Sequence, residues 1–537
     1  MKFHLNYVCL VLAALSSSAN ALTLTDVSVA NPKVAGFTAP NILSPELDLR
    51  LHATGSMKLD GATANTQYYG YINNSAGTSA MVPVLGSAAS PSSPASEASK
   101  TEPDKNTYLV LEGQKGADAN YNYGSHFLFQ GHESGAHGYI TRINLDADGA
   151  HRVTLMTDTL ADGSLVPVLD GSTWYPFSGH LLFAGEGSAA SGIDEGVVLQ
   201  ATTDYPSTVT KLDGVIGHAG WEGIQADSLG NLWLIADQGG SIGTVNNKAR
   251  QANSFVYRFV PKNVNNLSEG GRLQALQVWN NKAPIVFHAG QADADILSQD
   301  AKDLHTYKKS FKTAWVTIHD TDIDGFVAFD ATAAAKTANA TPFKRPENGV
   351  FRPSAANPFT QFFFTETGDT NKDSQAGSAY GGYGAVFSLT QVNPAADTGT
   401  LRLFYLGDLE HSGFDNIAFL STNQLLVVED ASDTVHAQRN GLDSGYAFNL
   451  AVDYSTGTKP VRFLAEGRDA SATLDSATAG LNANGDNEIT GIHVSNGDAS
   501  VAGLLGSQNP TPFKKGWRVF WTQQHGDNNT FEIVPNK

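Results

Sequence analysis

Short apolar runs, each closed by a polar or acidic end and a small-residue turn, recur along the chain. Six of them stand out: HFLFQGHES, HLLFAGEGS, NLWLIADQGGS, QFFFTETGDT, QLLVVEDASD and RVFWTQQHGD. Runs of β-branched and aromatic residues between Gly, Asn and Asp clusters predict strands, and segments such as YITRINLDADGAHRVTLMT read as strand, turn, strand. Long amphipathic helical patterns are scarce. The first three echoes are spaced by about 50 residues, the length of one propeller blade. Later intervals are longer, above all between Asp237 and Glu366, and call for insertions. The expected fold is all-β: one six-bladed β-propeller domain over residues 22–537 with loop insertions, the largest at about 250–340.

A second polar signature precedes four of these strands: GWEGIQADSLG, RPENGVFRP, FDNIAFLSTN and NEITGIHVSNG. Innermost propeller strands converge on a central channel, so equivalent positions of successive blades are expected to meet near the axis. The bland alternative is that each acid only ends a strand and caps a turn. One stretch, Gly86 to Lys105, is rich in Ser, Ala and Pro and reads as a flexible excursion without a role in a site.

The N-terminus changes the picture of where the chain works. Lys2, the apolar run Tyr7 to Leu15 and Ala19-Asn20-Ala21 form a signal-peptide pattern over residues 1–21, and the run is too short to span a bilayer. Export to the periplasm or the extracellular space is expected, with no transmembrane segment. The single cysteine, Cys9, lies inside that signal, so a metal site in the mature chain must use oxygen and imidazole. A formal charge of −19 argues against a nucleic-acid partner and makes bound cations the interesting exception to a merely solvated acidic coat.

Three motifs carry candidate chemistry. Asp320-Thr-Asp322-Ile-Asp324-Gly325 matches the first half of a calcium loop, although Ala331 stands where the closing Glu belongs; an acidic surface turn is the alternative. Asp369-Thr-Asn371-Lys-Asp373 is a weaker version. Arg345-Pro346-Glu347 joins a guanidinium fork suited to phosphate or carboxylate with a carboxylate suited to a metal, and a surface ion pair would look the same. Histidines beside acids, at His132-Glu133, His319-Asp320 and His525-Gly526-Asp527, are candidate imidazole ligands or simple caps. The GxSxG, HExxH and P-loop motifs are absent from the sequence.

The segments GHESGAHGYITRINLD, GWEGIQADSLGNLWLIADQ, FKRPENGVF, FDNIAFLSTNQLLVVEDASD, NEITGIHVS and TQQHGD resemble the PhoX-type alkaline phosphatases and related bacterial proteins. The resemblance implies a six-bladed propeller whose axial site, of calcium and iron, hydrolyses small phosphomonoesters outside the cytoplasm. It implies Arg345 as the phosphate-binding arginine, Glu347 as a metal ligand, and Glu133, Glu186, Glu222 and Glu488 as further ligands, with Asp415, Asn416 and Glu429 beside them. Two departures are visible. The family's cysteine on iron has no counterpart in DGSTWYPFSGHLLFAGEGS, and MKFHLNYV lacks the family's twin arginine. Two rival readings remain: a noncatalytic calcium-binding propeller that recognises a surface or glycan, and a calcium-dependent lactonase-like propeller hydrolase.

Overall fold

A computed structural model describes residues 22–34, 39–70, 101–133, 137–187, 196–369, 373–468, 488–524 and 528–537. The signal-peptide region with Cys9, most of the low-complexity stretch, Asn371 and the segment His525-Gly526-Asp527 lie outside these residues.

Strand order resolves the chain into antiparallel meanders. Blade 1 runs outward from the short inner pieces Glu102–Pro103 and Thr107–Val110 through His126–Glu133, Tyr139–Asn144 and Val153–Thr157. Blade 2 comprises Ser172–Tyr175, His180–Ala184, Val198–Ala201 and Val209–Lys211. Blade 3 is Trp221–Ala226, Leu232–Ala236, Val256–Pro261 and Gly271–Asn280, and blade 4 is Pro346–Phe351, Gln361–Glu366, Ala385–Thr390 and Thr398–Leu406. Blade 5 is Phe414–Ser421, Gln424–Glu429, Ser444–Asn449 and Val461–Ala465. Blade 6 is Glu488–Ser495, Arg518–Gln524 and Asn529–Pro535, completed by the N-terminal strand Leu47–Ala53. The inner strands touch in the cyclic order of blades 1 to 6 and back to 1, which closes the ring.

Blades 3 and 4 are fused. The long strand Phe311–Asp320 pairs with Gly271–Asn280 on one side and Thr398–Leu406 on the other, giving a single ten-stranded sheet. The aromatic content of this region explains the join: Trp233 of blade 3 lies edge-on to Trp315 of the bridging strand and Phe351 of blade 4, with centroids 5.2 and 5.0 Å apart. Such pairs add to the burial of large apolar faces between blades. Two expectations need correction here. Val256–Pro261 and Gly271–Asn280 are outer strands of blade 3, so the excursion begins only after Asn280. Thr101, Asp104 and Lys105, grouped with the low-complexity stretch, are buried at the first blade's inner edge.

Closure of blade 6 joins the two ends of the chain, and a buried ion cluster fastens it. Arg518 donates to both oxygens of Glu532 at 2.8 and 2.7 Å, and His52 on the N-terminal strand lies 2.9 Å from Glu532. Burial alone raises the Glu532 carboxyl, but the bonds from His52 and Arg518 outweigh it and bring its pKa from 4.5 to about 2. A depressed carboxyl contributes stability above its unfolded pKa and loses it as pH falls through the folded one. Glu532→Gln is therefore expected to lose about 1–3 kcal/mol at pH 7. In denaturant titrations at several pH values that difference should shrink below pH 4.5 and vanish near 2; a pH-independent difference would refute the linkage.

Candidate functional site

Antiparallel pairing sets the site. The six echoed apolar runs are the second strands of the six blades, and their acidic C-terminal ends lie beside the N-terminal starts of the innermost strands, as in Pro346 opposite Glu366 and Phe414 opposite Glu429. Acids from both kinds of strand thus collect at one mouth of the channel. Four inner strands carry a register shift at this point, between Trp221 and Ile224, Pro346 and Gly349, Phe414 and Ile417, and Ile489 and Gly491. Bulges of this kind re-aim side chains next to sites. In three of them the bulge holds an acid followed by a small or amide residue: Glu222-Gly223, Glu347-Asn348 and Asp415-Asn416.

Two triads of carboxylates result. Glu133, Asp170 and Glu186 bring one oxygen each within 4.8 Å of one another, and so do Glu222, Glu347 and Asp415. Asp170 joins the triads, because its carboxyl adjoins those of Glu222 and Asp104. Gln524 bridges Glu133 (3.0 Å) and Asp104 (3.4 Å). Asn416 donates to Asp415 at 3.2 Å and to the Thr490 carbonyl at 2.6 Å, while the Thr367 hydroxyl donates to Glu347.

Burial, before all else, drives the carboxyls of Asp104, Glu133, Asp170, Glu186, Glu222, Glu347 and Asp415 above their ordinary range, and the crowding of like charges adds to it. The Arg345 guanidinium is also raised above its ordinary value, by the charge of Asp237 first and of Glu347 after it, which holds it in its charged form. Its Nε and Nη2 donate to one Asp237 oxygen at 2.9 and 2.8 Å, and Nη2 lies 3.5 Å from Glu347.

Arg345 sits at φ 52°, a left-handed conformation rare for its type. The surrounding bonds enforce it: Thr367 N donates to the Arg345 carbonyl at 2.8 Å, Lys344 N donates to Glu366 at 2.8 Å, and Lys344 Nζ pairs with Asp369 at 3.0 Å. The insertion supports this brace from behind, with His305 Nε2 2.8 Å from Glu366.

The residues fit a hard cation. Asp170 is 2% exposed and Glu222 6%, yet among the described residues Asp170 Oδ1 and Glu222 Oε2 have no hydrogen-bond partner, nor has Asp237 Oδ1. Buried carboxylate oxygens without donors, in an all-oxygen set, suit calcium. An iron–thiolate centre does not fit: Ala184, buried at the end of its strand, offers no donor where the resemblance implies a cysteine.

Other expected site residues lie elsewhere. Asp320, Asp322 and Asp324 form a capped turn at the C-terminal end of the bridging strand of the fused sheet: Asp322 N donates to Asp320 at 3.0 Å, Asp320 N donates to Asp324 at 2.8 Å, and Lys262 pairs with Asp322. Their Asp-x-Asp-x-Asp-Gly pattern comes from helix capping, far round the sheet from the axis. Glu429 reaches the rim but is neutralised by Arg439 at 3.1 and 3.0 Å. Asn416 is the exception, standing beside the second triad: its Nδ2 donates to Asp415, and its buried Oδ1 finds no hydrogen-bond partner among the described residues. Glu488 opens the inner strand of blade 6, half-buried and outside both triads. His132 stacks on Tyr139 and bonds Thr141, and His319 stacks on Phe329. Asp369 is the partner of Lys344.

Asp104, Asp170 and Asp237 were missed. Asp170-Gly171 repeats the acid-plus-small pair of Glu222-Gly223 and stands just before an inner strand, which is the signal that would have found it. Asp237 ends an echoed run, but Asp104 is masked by the Ser, Ala and Pro bias of the preceding residues.

Among known proteins, the family model described as alkaline phosphatase PhoX matches residues 248–510, just under half of the chain, including Arg345, Glu347, Asp415 and Glu488. The resemblance read from the sequence is thereby shown over this span. No curated protein matches. Among solved structures, Pseudomonas fluorescens PhoX in complex with vanadate, a transition state analogue, superposes with a TM-score of 0.53 at 12% identity, covering 95% of this chain and 98% of that one. It supports the propeller fold. A fungal alcohol oxidase of the AA5 family in complex with copper (TM-score 0.31, 11% identity, 94% of this chain and 77% of that chain) is too distant to carry an argument. So is a GH43 enzyme from Xanthomonas citri complexed with xylotriose (TM-score 0.25, 10% identity, 67% and 90%).

Proposed function

We propose, taking the likeness to PhoX-type alkaline phosphatases as premise, that this chain is an exported, metal-dependent phosphohydrolase acting on small phosphomonoesters at the axial mouth. The observation that supports it best is the meeting of two carboxylate triads with Arg345 in one partly orphaned, buried cluster. Carboxylates alone repel a phosphate ester, so the reading requires cations at the triads. Glu133, Asp170 and Glu186 would hold one, and Glu222, Glu347 and Asp415 another. Bound calcium there would supply Lewis-acid neutralisation of phosphoryl oxygens and a more acidic bound water.

The chain's own part is positional. Asp237 takes the Nε and Nη2 edge of Arg345 and fixes the plane of the guanidinium, so that the fork meets phosphoryl oxygens in a set orientation and stabilises the charge that builds during transfer. Asn416 and Thr367 hold Asp415 and Glu347 against rotation.

Hydrolysis of p-nitrophenyl phosphate should fall at least ~100-fold on chelation and return with Ca²⁺. Glu347→Gln should show the same loss in the presence of Ca²⁺. Well-folded protein without metal-dependent turnover would refute the reading. The missing thiolate favours one alternative, a calcium-binding propeller without catalysis; it expects Ca²⁺ uptake with no turnover of phosphoesters or lactones.

A further inference from the structure

Beneath the carboxylates lies a group that the proposed chemistry does not use. Lys105 directly follows Asp104 at the inner edge of blade 1 and is 3% exposed. Its backbone is wedged between blades: its carbonyl accepts from the Ser172 hydroxyl of blade 2 at 3.0 Å, and a Cβ on Gly491 of blade 6 would come within 2.7 Å of its Cα. Its side chain leaves in another direction. Nζ donates to Asn348 Oδ1 of blade 4 at 3.4 Å, and Asn348 Nδ2 in turn lies 3.5 Å from Asp415 Oδ1 of blade 5. In a ring of six, blades 1 and 4 face each other, so the Lys105 side chain crosses the channel.

A buried ammonium needs compensating charge. Here the acids around it are Asp104, Asp415, Asp170 and Glu222, the same carboxylates that form and join the triads. Asn348 relays the contact, its amide oxygen accepting from Lys105 and its amide nitrogen facing Asp415. Gly171 and Gly223 occupy the matching tier of blades 2 and 3, where a Cβ would collide with the backbone of the next inner strand at 2.7 and 2.8 Å. That tier has charge from Lys105 alone among these positions: Lys105, Gly171, Gly223, Asn348 and Asn416.

We infer that Lys105 is a built-in cation on the channel floor, standing where the carboxylate cluster would otherwise take up a further divalent ion, and so sets how many ions the site holds. The inference rests on the metal-holding half of the proposed function and goes beyond it, because it concerns ion number and affinity rather than turnover. Lys105 is thus a specificity-determining residue that acts through the ligands.

The test is calorimetric titration of the chelated, full mature chain with Ca²⁺ alone, backed by elemental analysis, for the wild type, Lys105→Met and Lys105→Arg. Lys105→Met should take up one more equivalent of Ca²⁺ or bind it at least ~10-fold more tightly, because a neighbouring positive charge has gone. Lys105→Arg should match the wild type in stoichiometry. Chelated Lys105→Met should also be less stable than the chelated wild type, and saturating Ca²⁺ should restore it. A folded Lys105→Met with unchanged stoichiometry and affinity overturns the inference, as does a Lys105→Met chain that stays unfolded in saturating Ca²⁺. Either result leaves the phosphohydrolase reading standing, whereas a wild type that binds no Ca²⁺ removes both.

Discussion

Arg345→Met is expected to lower kcat/KM for a phosphomonoester by about 10³-fold, equivalent to about 4 kcal/mol of transition-state stabilisation. Methionine keeps the Cβ and nearly the length of the stem, so the left-handed backbone at this position is no more strained than before. What disappears is the fork that Asp237 orients. Arg345→Lys should recover only a small part, since an ammonium is a point charge and cannot hold Asp237 and a phosphoryl group in one plane. Ca²⁺ binding by both variants should persist, because Arg345 supplies no metal ligand. The measurement is steady-state kinetics beside Ca²⁺ titration of the same preparations. Turnover of Arg345→Met within tenfold of the wild type would remove Arg345 from the reaction.

The architecture was legible because propeller blades repeat the same solution to the same packing problem. Each second strand must be apolar on the faces between blades and polar where it reaches the channel mouth, so six runs such as NLWLIADQGGS and QLLVVEDASD carry the same signature. The inner strands were legible where a bulge pairs an acid with a small or amide residue, as in Glu222-Gly223, Glu347-Asn348 and Asp415-Asn416. They were illegible in blade 1, where the inner strand is broken into two short pieces and follows a biased stretch, which concealed Asp104 and Lys105.

Pattern without geometry also misled. Asp320, Asp322 and Asp324 have the spacing of a calcium loop, but the same oxygens cap backbone N–H groups in a short turn, and only coordinates distinguish these uses. The nearness of a guanidinium to a carboxylate was legible in Arg345-Pro346-Glu347. The brace of this segment was not: Glu366, Asp369 and His305 reach it by tertiary contact from residues that look like ordinary strand ends and an insertion.

Glu429 is the residue on which sequence and structure diverge most sharply, and it supports the second large effect. It lies at the rim like Glu133, yet Arg439 donates to both its oxygens, and Arg439 Nη2 also lies 3.2 Å from Asp443, with all three side chains buried. Ser412 N and the Tyr446 hydroxyl donate to the same Glu429 oxygen at 2.9 and 3.3 Å, and His436 lies 2.8 Å from Asp443. A carboxylate so fully supplied with donors is a structural anion rather than a metal ligand. Arg439→Met is expected to destabilise the fold by about 3–5 kcal/mol, because it leaves two buried carboxylates with their principal counter-charge gone. Chemical denaturation in saturating Ca²⁺ reads that loss. If Glu429 is structural, the folded fraction of the variant keeps the wild-type Ca²⁺ stoichiometry, and added Ca²⁺ does not rescue its stability. Rescue by Ca²⁺, or a change in the number of ions bound, would return Glu429 to the set of metal ligands.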